Sequence, residues 1–587
     1  MCGIVGYLGK KKKAKEIVEN LQKLEYRGYD SSGIAVSKDG EFACFKQIGC
    51  ISELKKEVPD NLEATCAIAH TRWATHGKST VENAHPHSSN DGLWTLVHNG
   101  IIENYLEVKK TLKEEIKSQT DTAVVAQLLG EQNAQTIYDF MKAFETLKGS
   151  YSIVAMNKNK TDELFLAKNK SPLYVAENNG DFFVASDPIC FGGLAKYYYE
   201  FNDNDFAHLS NGVIRFYFDG KEIVKEKKML DDTFENISNE GFEHFMLKEI
   251  YEEPEALKRQ VNFFRDRKVL ENFSKEFLSK FDEVVFVGCG TAYHASLFGA
   301  SYFKKQLGIR ARAEVASEFI YSKPIFVSDK MLFVLVSQSG ETADTLMAEK
   351  IARENGATTI ALTNVLYSSL AKRTDYVLPV FAGPEIAVAS TKAYVCQLSA
   401  LYMFATHLKN CAGENEDYFL DILRVSEKSL SFDMKKIERI ACEIKDSTKP
   451  LFIGKDLDFI TSMEASLKLK EVSYINSTNY SSGELKHGFL ALVEDGTPLF
   501  VFCTQKEISG KSLNASHEAI SRGAKQYLIT NDKNYVGEDV IFIDEENELL
   551  ASILAIIPMQ YMAYKVSISK GINPDKPRNL AKSVTVE

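Results

Sequence analysis

Short apolar runs separated by polar residues dominate the first part of the chain and predict β-strands joined by turns. Apolar residues three or four positions apart predict helices over 14–24 and 122–129. This mixture indicates an α+β or layered α/β/β domain in roughly the first 235 residues. The expected strands are 4–8, 33–36, 66–69, 95–97, 152–156, 164–167, 182–185 and 213–218.

From about residue 240 the pattern changes to apolar strands that alternate with helices, which is typical of a parallel sheet with crossover helices. Three strand ends in this part recur 166 or 167 residues later in the chain. This near-constant spacing predicts two copies of one doubly wound α/β domain. The paired segments are 285–288 with 451–454, 332–334 with 499–501, and Thr363-Asn364 with Thr530-Asn531.

Length and composition narrow the class of protein. The 587 residues exceed the size of one domain, so several domains are expected. A net charge of −11 argues against a general nucleic-acid-binding role. Ten cysteines without C-x-x-C spacing indicate reduced thiols. No run predicts a signal peptide or a membrane span, so a soluble cytoplasmic protein with no membrane partner is expected.

Cys2 is the first candidate for chemistry. If Met1 is removed, the chain begins with a residue that carries both a thiol and an α-amine. An α-amine titrates near pH ~8, so its neutral form can take the thiol proton directly or through a water. Such a pair is an N-terminal nucleophile. For Cys2 taken alone, an ordinary buried cysteine at the start of a strand is the simpler interpretation.

Polar residues at the ends of predicted strands could serve such a nucleophile. The Asn99 side chain and the Gly100 N–H could form an oxyanion hole. Arg72 offers a two-pronged donor for a carboxylate, and Asp121 offers a counter-charge for an ammonium group. Taken singly, each residue has a simpler explanation: a hairpin turn at Asn99-Gly100, a surface ion pair at Arg72 and a helix N-cap at Asp121.

Five histidines fall within thirty residues of this part, so a metal site must be considered. No pair of them has the i,i+4 spacing of a helical ligand pair or an H-E-x-x-H arrangement. We therefore expect no metal in this domain. The five are His70, His76, His85, His87 and His98.

The first copy of the repeated domain carries a hydroxyl-rich turn where a strand ends. Residues 337–342 read Ser-Gln-Ser-Gly-Glu-Thr and would place hydroxyls and free N–H groups at a helix N-terminus, which suits a phosphate. Tyr293 breaks a G-x-G-x-x-G pattern, so a dinucleotide is not indicated. The simpler alternative is that Ser339 or Thr342 only caps the helix that follows.

The second copy lacks this turn and carries candidate acid–base groups instead. Glu471 on a predicted helix and His487 on a loop could move protons beside a carbonyl. Lys582 lies in the tail and could form a Schiff base if the tail folds over a site. The alternatives are a surface glutamate, a structural histidine and a solvated lysine.

Several motifs of the first part resemble class II glutamine amidotransferase domains. They begin at Cys2 (Cys-Gly-Ile-Val-Gly), Leu24 (Leu-Glu-Tyr-Arg-Gly-Tyr-Asp-Ser), His70 (His-Thr-Arg-Trp-Ala-Thr-His-Gly), Val97 (Val-His-Asn-Gly) and Thr120 (Thr-Asp-Thr). The resemblance implies an N-terminal-nucleophile fold with α/β/β/α layers over 1–217. It also implies that Cys2 forms a glutamyl thioester and releases ammonia. The implied glutamine-binding residues are Arg72, Trp73, Thr75, His76, Gly100 and Asp121, with Trp73 also gating the ammonia route.

Over its whole length the sequence is similar to the glucosamine-6-phosphate synthase family, which joins such a glutaminase to two sugar-isomerase (SIS) domains. The motifs that carry this include 289–291, 337–342, 388–392, 468–471, 483–488 and 578–587. The resemblance implies that Glu471 shuttles the C1/C2 proton, that His487 opens the sugar ring and that Lys582 forms the Schiff base. The implied contacts to the sugar phosphate are Thr291, Ser337, Gln338, Ser339, Thr342, Val388, Ser390 and Lys468.

The same resemblance implies domain boundaries and a reaction. We expect a helical linker over 218–279, SIS domains over 280–420 and 440–576, and a tail over 577–587 that closes the sugar site. The implied reaction transfers the amide nitrogen of glutamine to fructose 6-phosphate without a cofactor, in a homodimer. One rival interpretation is another glutaminase-coupled transferase, but neither a phosphoribosyl-pyrophosphate acidic loop nor an ATP-binding Ser-Gly-Gly motif is found. The other is a sugar-phosphate-sensing protein that has lost the chemistry, and the presence of Glu471, His487 and Lys582 argues against it.

Two residues depart from the family pattern. Ala292 stands where serine is expected after Cys-Gly-Thr, which could remove one phosphate-binding hydroxyl. Phe489 stands where proline is expected after His-Gly, which affects the loop near His487. Neither residue is a reacting group.

Overall fold

The protein is described here by a computed structural model that covers residues 2–38, 40–73, 77–230, 239–322 and 326–585. The chain divides into two compact units. The first covers Met1–Ser238 together with Ser583–Val586, and the second covers Asn239–Lys582. The predicted positions Thr75 and His76 lie outside the described residues.

The first unit contains two large sheets whose described strand pairs are antiparallel. One sheet has the order β15-β11-β9-β10-β1-β4-β2-β3 and the other has the order β14-β13-β12-β8-β7-β6-β5. The strands are β1 (Gly3–Lys13), β2 (Ser31–Lys38), β3 (Glu41–Ile48), β4 (Glu63–Arg72), β5 (His87–Ser88), β6 (Trp94–Ile102), β7 (Gly149–Asn157), β8 (Lys160–Asn169), β9 (Tyr174–Asn178), β10 (Asp181–Ala185), β11 (Tyr197–Glu200), β12 (Asp205–Ser210), β13 (Val213–Phe218), β14 (Lys221–Ile223) and β15 (Lys228–Met229).

Alternation along β1 shows why these sheets are layered. Ile4 and Leu8 join a core cluster shared with strands of the second sheet, whereas Val5 and Tyr7 pack on the opposite side against α1. A further cluster joins the second sheet to α4 and α5, so the layers follow the order α/β/β/α. The helices of this unit are α1 (Ala14–Gln22), α2 (Ile51–Glu57), α3 (Tyr105–Thr111), α4 (Asp121–Glu131) and α5 (Ile137–Phe144).

The second unit contains two parallel five-stranded sheets with the same connectivity. The first has the order β17-β16-β18-β19-β20 and the second the order β22-β21-β23-β24-β25, so the predicted duplication is confirmed. The strands are β16 (Glu283–Gly288), β17 (Arg310–Val315), β18 (Met331–Ser337), β19 (Thr358–Thr363), β20 (Tyr376–Pro379), β21 (Leu451–Gly454), β22 (Thr478–Ser481), β23 (Pro498–Cys503), β24 (Lys525–Thr530) and β25 (Val540–Phe542).

Helices pack around both parallel sheets and share one core. Helix α16 contacts both α9 and α19, which joins the two copies through a common apolar cluster. The helices are α6 (Phe245–Tyr251), α7 (Glu253–Asp266), α8 (Lys275–Leu278), α9 (Thr291–Leu307), α10 (Ala316–Phe319), α11 (Ala343–Glu354), α12 (Ser369–Arg373), α13 (Lys392–Cys411), α14 (Tyr418–Lys428), α15 (Met434–Ile444), α16 (Leu457–Ser473), α17 (Lys506–Ile520), α18 (Glu548–Leu554) and α19 (Ile557–Ser569).

Matching glycines at the first strand of each copy explain how the following helix can begin so close to the sheet. A Cβ on Gly288 would lie 2.7 Å from the carbonyl carbon of Ala292, and a Cβ on Gly454 would lie 2.4 Å from that of Asp458. Only glycine permits this approach without a backbone shift. The two positions are therefore equivalent in structure as well as in sequence.

Residues 218–279 are not a separate linker. The region predicted as a linker contributes β14 and β15 to the sheets of the first unit, and α6 and α7 to the core of the second. Among the described residues, one helical segment, Glu548–Ser569, is apolar and long enough to cross a membrane, and 89% of its most apolar window is buried inside the fold. Burial of that kind is typical of a core helix.

Candidate active sites

The Cys2 thiol lies beside the end of β4, the strand that neighbours β1. The backbone N–H of Trp73 donates to Cys2 Sγ at 3.3 Å. Burial raises the pKa of the Cys2 thiol, while the Trp73 hydrogen bond and the Arg72 charge act in the opposite direction. Because the net shift is upward, the resting thiol is protonated and needs a base before it can attack.

Asn99 and Gly100 sit in the middle of β6 rather than in the hairpin turn considered above. Asn99 Nδ2 donates to the backbone carbonyl of Cys2 at 3.0 Å, which places its amide next to the predicted nucleophile. Gly100 has φ +131°, and a Cβ there would lie 2.0 Å from the Ser150 carbonyl oxygen. The strand can therefore twist at this point only with glycine.

Asp121 is the first residue of α4, but it does not cap the helix. The cap is Thr120, whose hydroxyl accepts from the Ala123 N–H at 3.2 Å. The buried Asp121 carboxylate instead accepts from the Ile102 N–H at 2.9 Å and from the Thr122 N–H at 2.9 Å. The contact with Ile102, two residues after Gly100, places the Asp121 carboxylate near the end of β6, where it could bind an ammonium group.

Arg72 is buried rather than part of a surface ion pair, since it is only 3% exposed. Its Nη2 donates to the Gly77 carbonyl at 3.3 Å. Burial lowers the pKa of Arg72, while Cys2 and Asp121 act to raise it. The Arg72 guanidinium is thus close enough to Cys2 and Asp121 for their charges to affect its pKa.

The histidine cluster does not form a metal site within the described residues. His70 and His85 stack with ring centroids 4.0 Å apart, and the His85 and His87 rings meet edge to face at 4.8 Å. Burial lowers the pKa of His70 to about 3 and places those of His85 and His87 well below the usual value. These three rings are therefore neutral packing and hydrogen-bonding groups.

The predicted hydroxyl-rich turn lies between β18 and α11. Ser337 Oγ accepts from the Gly340 N–H at 3.0 Å and lies 3.0 Å from Thr342 Oγ1. Thr342 occupies the cap position, but its side chain does not cap the helix. The Gln338 carbonyl accepts from the Asn364 N–H at 3.1 Å and fixes the turn to the end of β19. The result is a cradle of hydroxyls and N–H groups that suits a phosphate.

A buried charged network connects the start of α9 in the first copy to α16 in the second. The hydroxyl of Thr291 donates to Glu464 at 3.0 Å and lies 3.1 Å from Lys468 Nζ. Lys468 also pairs with Glu471 at 2.6 Å, and His294 Nδ1 lies 2.6 Å from Glu464. Burial opposes these charges, yet the pKa of Lys468 is raised and that of Glu464 is lowered because each faces opposite charge.

Lys582 is held inside the second unit by a carboxylate. Its Nζ forms an ion pair with Glu385, and the Lys582 side chain is 4% exposed. Glu385 also accepts from Ser390 Oγ at 2.9 Å, from the Thr391 N–H at 2.9 Å and from the Ala393 N–H at 3.0 Å. This arrangement joins the tail lysine to the predicted sugar contact at Ser390.

The segment before Lys582 is tied down at several points. The Val388 N–H donates to the Asp575 carbonyl at 3.3 Å, and the Asp575 carboxylate accepts from the Phe245 N–H at 2.8 Å. Further along, the Arg578 guanidinium lies 4.2 Å from the centre of the Tyr474 ring. The tail therefore contacts the helix region that carries Lys468 and Glu471.

Glu249 is a second buried acid, close enough to the Lys582–Glu385 ion pair for both of its charges to affect the Glu249 pKa. Its Oε1 accepts from the Ile386 N–H at 2.5 Å and from the Ala387 N–H at 3.2 Å. Burial and the charge of Glu385 raise the pKa of Glu249 to about 8. Glu249 is therefore mostly neutral at physiological pH.

His487 is not brought together with the other predicted sugar-site groups. It follows the short 3₁₀ helix Glu484–Lys486, and its imidazole is exposed to solvent. In the part of the chain that the structure describes, the imidazole makes no hydrogen bond or ion pair. The neighbouring departure Phe489 stacks on Tyr480, with ring centroids 3.8 Å apart.

The sequence analysis did not single out three buried acids of the second unit, Glu464, Glu385 and Glu249, and it considered His70 only as a metal ligand. Glu464, Lys468 and Glu471 are spaced i, i+4 and i+7 on α16, so a search for charged residues on one helix face could have found Glu464. Nothing near Glu385 or Glu249 in the sequence points to Lys582, because these contacts join distant parts of the chain.

Comparison with known proteins identifies the domains and the family of the chain. The SIS domain model matches residues 277–407 and 443–570, and the glutamine amidotransferase domain model matches residues 70–192. The glutamine--fructose-6-phosphate aminotransferase (isomerizing) of Caldanaerobacter subterraneus is 40% identical over 609 residues, with all of both chains covered. The chain belongs to this aminotransferase family. The Bacillus subtilis member is 38% identical, again over all of both chains.

A solved structure places the second unit within the same aminotransferase family. The C-terminal domain of glucosamine-fructose-6-phosphate aminotransferase from Francisella tularensis superposes with a TM-score of 0.54 and 32% identity. It is covered completely and spans 58% of this chain. The predicted fold class, a glutaminase domain followed by two doubly wound SIS domains, is confirmed.

Proposed function

We propose that the protein transfers the amide nitrogen of glutamine to fructose 6-phosphate and isomerises the product, giving glucosamine 6-phosphate and glutamate. The observation that carries this is the full-length match to isomerizing aminotransferases, in a chain that has Cys2 hydrogen-bonded to Asn99 through its carbonyl and a buried lysine in the tail. A glutaminase alone would not need the buried tail lysine, and a sugar-phosphate sensor alone would not need Cys2.

In the first half-reaction, Cys2 is the nucleophile. After removal of Met1, its α-amine takes the thiol proton, and the thiolate attacks the side-chain amide carbon of glutamine. Asn99 Nδ2 and the Gly100 N–H stabilise the oxyanion that develops on the carbonyl oxygen. The C–N bond then breaks, ammonia leaves with the transferred proton, and water hydrolyses the glutamyl thioester to glutamate.

Recognition of free glutamine falls to the buried charges around Cys2. Arg72 binds the α-carboxylate, and Asp121 binds the α-ammonium. Trp73, Thr75 and His76 complete the proposed glutamine contacts. Both charges are largely desolvated, so each should discriminate strongly against a ligand that lacks its partner group.

In the second half-reaction, the sugar phosphate occupies the cradle in the second unit. The hydroxyls and N–H groups of Thr291, Ser337, Gln338, Ser339 and Thr342 bind the phosphate, and Val388, Ser390 and Lys468 contact the sugar. Lys582 loses a proton and attacks the C2 carbonyl of the open-chain ketose, and water leaves as the Schiff base forms.

Ammonia then replaces Lys582 at C2, and the resulting imine makes the C1 proton acidic. Glu471 removes that proton from C1 as the imine nitrogen takes up a proton, and then returns it to C2 as the C1 hydroxyl gives up its proton, which converts the ketose imine into the aldose amine. No redox or organic cofactor is required, because no electrons are gained or lost overall and the imine itself stabilises the negative charge. His487 is assigned to ring opening.

We further propose that the enzyme is a cytoplasmic homodimer. All ten cysteines are free thiols, which suits a reducing compartment. His487 is exposed and lies apart from the other predicted sugar-site groups of its own chain. In a dimer, it could instead contact the sugar bound by the second copy. Mixing His487→Ala with Lys582→Ala protein should then restore part of the activity that each variant lacks. Failure to restore activity in a mixed dimer would contradict this assignment, but it would leave the reaction unaffected.

The proposal is tested by incubating the full chain with glutamine and fructose 6-phosphate and measuring glucosamine 6-phosphate and glutamate. Equal amounts of both are expected. Cys2→Ala should abolish glutamine-dependent synthesis; alanine is as small as cysteine, so removal of Met1 is preserved. Lys582→Ala should keep glutamine hydrolysis but lose the amino sugar. Glutamate release that fructose 6-phosphate stimulates without any amino sugar would indicate a sensor instead.

A further inference from the structure

His70 links the two sheets of the first unit through a hydrogen bond that decides its protonation. Its Nε2 lies 3.0 Å from the carbonyl oxygen of His98 and 3.1 Å from Oδ1 of Asn99. A carbonyl oxygen can only accept, so Nε2 must carry the hydrogen. The same N–H therefore faces the Asn99 side chain, and the atom of Asn99 that it meets must be the acceptor, Oδ1.

This hydrogen bond fixes which way the Asn99 amide points. With Oδ1 turned to His70, the NH₂ group is turned to the Cys2 carbonyl, 3.0 Å away. An amide nitrogen has two hydrogens, so the second remains for another acceptor beside Cys2. A rotated amide would place an oxygen lone pair where negative charge develops, and that would oppose the reaction.

The environment of His70 keeps the imidazole neutral and in one place. Its ring stacks on His85 with an interplanar angle of 16°, and His85 Nδ1 accepts from the His98 N–H at 3.3 Å. Gly33 leaves room for this stack, because a Cβ there would lie 2.1 Å from the His85 carbonyl oxygen. His70 Nδ1 is buried and has no hydrogen-bond partner within the described ranges, as expected for the unprotonated nitrogen.

We propose that His70 is a positioning residue for amide cleavage, which acts by holding the Asn99 carboxamide with its NH₂ group toward the oxyanion. His70 does not touch the substrate. The proposal rests on the proposed function, because it requires that Asn99 stabilises the oxyanion formed by Cys2 attack. The orientation of Asn99 then depends on His70 carrying its hydrogen on Nε2, a requirement that the reaction scheme above does not include.

The test compares four variants of the full chain: Asn99→Ala, His70→Leu, His70→Gln, and the double variant of Asn99→Ala with His70→Leu. Loss of an oxyanion donor in Asn99→Ala should lower the kcat of glutamine hydrolysis by ~100-fold to ~1,000-fold. His70→Leu should lower kcat by at least ~10-fold with little change in KM, because binding of glutamine is left to other residues. His70→Gln keeps a donor near the Nε2 position and should recover most of the loss.

The double variant separates positioning from general damage. If His70 acts through Asn99, the double variant should match Asn99→Ala within about twofold in kcat. A double variant whose losses multiply would overturn the proposal, as would His70→Leu with normal kcat. If Asn99→Ala itself hydrolyses glutamine normally, the oxyanion assignment in the proposed function fails instead, so the two failures can be told apart.

Two controls guard against a simple folding defect. His208→Leu removes a partly buried histidine paired with Glu163 in the same unit, and it should leave kcat unchanged. Alkylation of Cys2 by iodoacetamide needs no oxyanion hole and should proceed at the wild-type rate in His70→Leu. A slow alkylation rate in that variant, not rescued in His70→Gln, would show a disrupted site and overturn the positioning role.

Discussion

The carboxylate of Glu464 accepts a hydrogen bond from Thr291 at 3.0 Å, although the two residues belong to different copies of the duplicated fold. Thr291 begins α9 in the first copy, whereas Glu464 lies within α16 in the second. A side chain of the second copy therefore contacts the start of α9 in the first. This contact joins the two copies through buried polar groups as well as through their shared apolar core.

Removing the Glu464 charge should destabilise the second unit. Glu464→Gln leaves the fully buried Lys468 with only Glu471 as a carboxylate partner, and breaking a buried pair in this way costs about 3 kcal/mol. Denaturant unfolding of the second unit should show the loss. The matched control is Glu271→Gln, which removes an exposed pair with Lys268 and should not shift the transition. Equal unfolding midpoints for the two variants would contradict the prediction.

Asp458 should make the stability of the second unit depend on pH. Its carboxylate accepts from the Thr504 N–H at 2.9 Å, and burial raises its pKa to about 6. The native state therefore binds this proton more tightly than the unfolded chain, where an aspartate titrates near ~3.9. The stability that the proton supplies is complete below about pH 4 and is lost as pH rises through about 6.

The measurement is the difference in unfolding free energy between wild type and Asp458→Asn from pH 4 to pH 7. The wild type should lose stability relative to the variant by about 3 kcal/mol over this range. A difference that is flat with pH would show that Asp458 is ionised in the native state throughout.

Glu249 should also make the stability of the second unit depend on pH, but at a higher pH than Asp458 does. Its pKa of about 8 means that the wild type loses stability, relative to Glu249→Gln, as pH rises from about 4.3 toward and through 8. Glutamine mimics the neutral acid, so the variant should be nearly as stable as wild type at pH 5 and more stable at pH 9. Thermal unfolding at these two pH values tests this. A wild type that gains stability relative to the variant at high pH would contradict it.

Gly288 should not tolerate a side chain. Gly288→Ala brings a Cβ against the backbone of Ala292 at the start of α9, and the forced shift should cost about 2 kcal/mol and weaken sugar-phosphate binding. Gly510→Ala is the matched control, because a Cβ there meets nothing within 4 Å and helix α17 should gain about 1 kcal/mol. Opposite shifts in the unfolding temperature of the second unit are expected. Shifts of the same sign would show that the close approach is unimportant.

The local pattern was enough to predict much of the fold. The strand predicted at 4–8 lies within Gly3–Lys13, and the helix predicted at 122–129 lies within Asp121–Glu131. The first is a short continuous apolar run and the second a longer apolar segment, and their lengths suit a buried strand and a buried helix. The role of Asp121 was harder to assess, because an aspartate at a helix start usually caps it. The contact that distinguishes it, to Ile102 of β6, joins separate elements.

What the sequence determined by itself was the set of parts: a cysteine at the second position, a hydroxyl-rich turn, and a domain present twice. These follow from residue type and spacing along the chain, which do not depend on the fold. Only the tertiary structure decided the pairings of Lys582 with Glu385 and of His70 with Asn99. Such contacts arise from packing between segments far apart in sequence, and a buried polar group must find a partner wherever the fold provides one.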